Sequence, residues 1–68
     1  MTATPKVREE LVAKLAEMIC ENRTLALTDF RAANKIFNEI AAFCEWHTIT
    51  RAEKRIASNE AWRLTAQH

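Results

Sequence analysis

The sequence predicts an all-α protein, a single three-helix domain made of a helical hairpin followed by a shorter third helix. Three observations carry that prediction. The 68 residues contain no Gly and a single Pro, Pro5, so the positive-φ turns that join paired strands, and the glycine loops that cradle phosphate, are unavailable. Ala, Leu, Glu, Lys and Arg, all strong helix formers, are abundant. Apolar residues return every three or four positions through two long runs. A chain of this length makes one domain with a thin core, and thin cores are commonly supported by a metal, a disulfide or a second subunit.

The first helix is expected over residues 5–21. Thr4-Pro5 reads as an N-cap followed by Pro at the first helical position, where its missing N–H costs nothing. Val7, Leu11, Val12, Leu15, Met18 and Ile19 then share an arc of about 140°. Glu9, Glu10, Lys14, Glu17 and Glu21 lie on the opposite side. Asn22-Arg23-Thr24 interrupts the pattern, and Leu25-Ala26-Leu27 reads as an apolar connector.

Thr28 or Asp29 is placed to cap a second helix, expected over 29–46. Its apolar stripe runs through Phe30, Ala33, Ile36, Phe37, Ile40, Ala41, Phe43 and Cys44 and covers about 160°. That is wider than one neighbour needs. Either this helix lies centrally between the other two, or it packs on one of them and on a second copy of the chain. Phe37, inside the stripe, is expected in the core. Thr50-Arg51-Ala52-Glu53 matches the capping box and opens a third helix, expected over 51–65. Ala52, Ile56, Ala57, Ala61 and Leu64 share its apolar face, with Glu53, Glu60 and Arg63 intruding.

Functional chemistry is sparse. Ser58 is the only serine and Tyr is absent, no nucleophile–base grouping has recognisable spacing, and a unit this small is expected to lack the ~300 Å³ concavity of a ligand site. Cys20 and Cys44 would lie ~20 Å apart in a helical hairpin, beyond the ~7 Å that a disulfide spans. Cys44 is expected as a small buried residue and Cys20 as an exposed thiol. Cys44 and His47 share a helical face, but only Cys20 and His68 remain as further N/S donors, and a structural zinc site takes four. No metal or cofactor is therefore expected. No apolar run long enough to span a bilayer and no secretory leader is read, so a cytoplasmic location with reduced thiols is expected.

Charge and aromatics point to binding instead. Ten bases against nine acids argue against strong non-specific attraction to nucleic acid or an anionic membrane. Yet the charge is polarised: Arg51, Lys54, Arg55 and Arg63 outnumber Glu53 and Glu60 in the last third, while acids outnumber bases in the first. Arg51, Lys54, Arg55, Ser58 and Trp62 fall within about 100° on the third helix. Trp46 projects about 120° from the middle of the second helix's stripe. These six residues are the candidate partner-binding surface, since Trp and Arg are enriched where proteins dock. The expected function is a non-enzymatic regulatory or inhibitory module that docks onto a protein partner, with a homodimer covering the surplus apolar surface. A DNA-binding regulator using the basic face of the third helix is the competing reading, although the turn before it has no Gly. A structural subunit of a larger assembly is a third.

Overall fold

A computed structural model describes residues 8–66, which form three α-helices: α1 over Glu9–Ala26, α2 over Phe30–Trp46 and α3 over Arg51–Ala66. The expected cap at Thr4-Pro5 lies outside the described residues. α1 begins at Glu9, after an N-cap Arg8 with non-helical angles (φ −86°, ψ 88°); the expected helical residues 5–7 lie outside the described residues. Glu9 and Glu10 occupy the first turn, where carboxylates complement the positive end of the helix dipole. At its other end α1 runs five residues past the expected break. Thr24 Oγ1 donates to Cys20 O at 3.0 Å and Asn22 Nδ2 to Ala33 O at 2.6 Å, so Asn22 and Thr24 find partners with the helix intact.

The N-cap of α2 is Asp29, which accepts from Ala32 N at 3.1 Å. Its C-terminus closes as a Schellman motif: Ile49 N donates to Cys44 O at 2.9 Å and Thr48 N to Glu45 O at 3.2 Å. That motif needs a left-handed residue, and with no glycine in the chain Thr48 takes the position at φ 51°. A β-branched residue is strained there. The payoff is Ile49, which the turn delivers into the core. α3 starts with the anticipated capping box: Glu53 N donates to Thr50 Oγ1 at 3.1 Å and Thr50 N to Glu53 Oε1 at 3.0 Å.

α1 is the central helix and packs against both others, while α2 and α3 do not pack against one another. Of the two arrangements expected for α2, this excludes the central one and leaves α2 packed on a single neighbour within the chain. α2 runs antiparallel to α1, and α3 returns parallel to α1, as the pairs Arg8–Glu53 and Cys20–Thr65 show. The core gathers Val12, Leu15 and Ala16 of α1, Ile49 and Ala57, flanked by Leu11, Ile19, Ile40, Phe43, Cys44 and Leu64. Ala57 and Ala61 have no exposed surface; small side chains let α3 approach α1 closely. The buried face of α3 is therefore Glu53, Ala57 and Ala61, and Ala52 and Ile56 face solvent. Of the intruding charges, Glu53 is taken inside and Arg63 pairs with Glu60 at 3.0 Å on the surface. On α2 only Ala33 is fully buried. Phe37, expected in the core, is 61% exposed, and Phe30 is 78% exposed. Cys20, expected as exposed, is half-buried beneath Thr65, whose hydroxyl lies 3.5 Å from its sulfur, and Cys44 is half-buried rather than buried.

Two outcomes follow for stability. Leu15→Ala removes the largest fully buried side chain and is expected to cost about 3 kcal/mol, whereas Phe37→Ala in dilute solution should cost under about 1 kcal/mol; urea unfolding followed by far-UV circular dichroism separates them. Thr48→Gly should raise the unfolding free energy by about 1 kcal/mol by relieving the left-handed strain, read as a higher urea midpoint at unchanged slope.

Candidate functional site

Glu53 sets the position of α3. The residue is 3% exposed and its carboxylate is surrounded by donors. Arg8 reaches it through Nη2 to Oε1 at 2.8 Å, Nε to Oε2 at 3.1 Å and its own backbone N at 3.2 Å. Thr50 N adds the capping-box bond. The same guanidinium donates to His47 O at 2.8 Å and Thr48 O at 3.1 Å. One arginine thus ties the start of α1 to the α2–α3 loop and to the first turn of α3. The Arg8 side-chain bonds, then the Thr50 backbone bond, hold the Glu53 carboxyl far below the usual carboxylate range, and Glu53 in turn raises the Arg8 pKa. Burial of the carboxylate opposes the shift and is outweighed.

With α3 held on one flank of α1 and α2 on the other, an open apolar groove of about 530 Å³ runs between them. Leu15 and Ile19 of α1 form its floor. Phe37, Ile40, Ala41, Cys44 and Glu45 make the α2 wall, and Lys54 and Ser58 the α3 wall. A concavity of this size was not expected in so small a chain; it exists because α2 and α3 splay rather than meet.

The six candidate residues do not form one patch. Lys54 and Ser58 line the groove. Arg51 and Arg55 sit side by side around a shallow depression with Ala52 and Ile56. Trp62 is 60% exposed and lies over the Arg23 guanidinium, 4.0 Å from its ring centroid, while Arg23 Nη2 donates to Ser58 Oγ at 3.2 Å. Arg23 Nη1 is buried with no acceptor, so the electron-rich indole face is the compensation it has. Trp46, 84% exposed, stands at the far end of α2. It adjoins the start of α3, whereas Trp62 lies eleven residues into α3, ~16 Å further along the axis.

Sequence reasoning missed Arg8 and Arg23, and placed Phe37 inside. The signals were present: a carboxylate intruding on an apolar face demands a cation, and a 160° stripe exceeds what one neighbour covers. The His47 ring packs at a tilt against Phe43, with centroids 4.5 Å apart, and among the described residues no three His, Cys, Asp or Glu side chains gather as a metal site. No helix among them is long and apolar enough to cross a membrane. No protein-family model, curated protein or solved structure matches the chain.

The Glu53 carboxylate is favoured in the folded chain and not in the unfolded one, so its stabilisation is present above its ordinary value of 4.5 and drains away as pH falls below it. Glu53→Gln is expected to lower the melting temperature at neutral pH and to flatten the decline between about pH 5 and pH 3. Melts of wild type and variant across that range are the measurement.

Proposed function

We propose that this chain is a non-enzymatic helical docking module, a regulatory or inhibitory protein that acts by seating a protein partner on its α2–α3 side. The observation that carries the reading is the exposed apolar face of α2. Phe30 and Phe37 lie mostly in solvent beside an open groove whose walls and floor are largely apolar. Contiguous exposed apolar surface of this kind marks interaction sites, and a groove between two helices accepts the apolar face of a third. Trp46, Arg51, Lys54, Arg55, Ser58 and Trp62 border that surface in part, and Arg51, Lys54 and Arg55 favour a partner with acidic flanks. A cytoplasmic setting fits two cysteines that are both free thiols.

The competing reading, a DNA-binding regulator, is favoured by the exposed cationic first turns of α3. Salt distinguishes the two. Under the docking reading, a partner recovered from the native host with wild-type protein binds Phe37→Glu at least tenfold more weakly and Trp62→Ala by about 2 kcal/mol less, with helical circular dichroism retained in both. Retention on duplex DNA with affinity falling steeply as salt rises would instead assign the surface to nucleic acid.

A further inference from the structure

The α2–α3 groove and the exposed face of α2 fit one another, which makes a second copy of this chain the occupant of matching chemistry. We propose that two copies associate about a two-fold axis, each seating its α2 antiparallel in the α2–α3 groove of the other. The inference rests on the docking reading and gives it a partner and a register.

α1 touches α2 and α3, and these do not touch each other, so the helices occupy three corners of a four-helix arrangement. The vacant corner adjoins α2 and α3 and opens onto Leu15 and Ile19. What fills it must be a helix with an apolar face. α2 is such a helix. Phe30, Phe37 and Ala41, spaced seven and four residues apart, form an outward stripe that α1 does not cover. Because this stripe also forms a wall of the groove, the surface is both occupant and receptor, the condition for an isologous two-fold interface.

Size and charge complementarity agree with that pairing. An antiparallel crossing centred between Phe37 and Ala41 sets the large ring of one copy against the small side chain of the other. The same crossing brings Arg31 of each copy within ~3 Å axially of Glu45 in its partner. Arg31 and Glu45 are both exposed and form no ion pair within the described residues of the single chain. The two phenylalanines offer roughly 250–350 Å² per copy. Seating α2 in the groove buries the walls and floor in addition, towards the ~800 Å² per partner of a standard interface.

Sedimentation equilibrium of the full chain between about 1 and 100 µM tests this, with helicity checked for each variant. The expected result is a dimer for wild type. Phe37→Glu should be a helical monomer, since that ring is outside the monomer core. Glu45→Lys should weaken association at least tenfold, and adding Arg31→Glu to the same chain should restore it. A wild-type monomer at 100 µM, or a dimer indifferent to Phe37→Glu, overturns the proposal, and failure of the double reversal to restore association overturns its register. A wild-type monomer whose capture of a different protein is abolished by Phe37→Glu ends the self-association while leaving the docking reading in place.

Discussion

One ion pair, a buried carboxylate met by an arginine at the surface, decides where everything else goes. Glu53 lies inside the protein with its charge, and that is tolerable only because Arg8 and the Thr50 amide saturate its oxygens. Since Arg8 also binds two carbonyls of the α2–α3 loop, the start of α1, the end of α2 and the start of α3 meet at one guanidinium. The far end has a weaker counterpart, where Arg23 lies beneath Trp62 and bonds Ser58. α3 is therefore attached to α1 by an arginine at each end and by alanines between them.

The absence of glycine shapes the connections. A helix ending in a Schellman turn ordinarily takes Gly at the left-handed position, and here Thr48 occupies it under strain. The strain is sustained by what the turn achieves: it satisfies two carbonyls at the end of α2, buries Ile49 and presents the His47 and Thr48 carbonyls to Arg8. Turn geometry and ion pair support one another.

Close approach of α3 to α1 has a consequence on the other side of the molecule. α3 packs on one flank of α1 through Ala57 and Ala61, α2 packs on the other, and the two do not meet. The space between becomes the groove, and the stripe of α2 is divided. Ile36, Ile40 and Phe43 turn towards α1, while Phe30 and Phe37 are left outside. The exposed apolar face of α2 is thus what remains when α2 and α3 lie on separate flanks of one helix.

Much of this was legible in the residues themselves. Helix number and type, the Asp29 cap, the Thr50–Glu53 capping box and the excess width of the α2 stripe all follow from local rules: propensity, three-to-four periodicity and the pairing of neighbouring backbone donors with side chains. Those rules act within a few residues. Which helix is central, which half of the α2 stripe is covered, and which cation meets Glu53 are set between residues as far apart as Arg8 and Glu53. Periodicity states that a face is apolar and leaves open what lies against it. That choice belonged to tertiary packing, where small alanines and a single buried carboxylate drew α3 onto α1 and left α2 half uncovered.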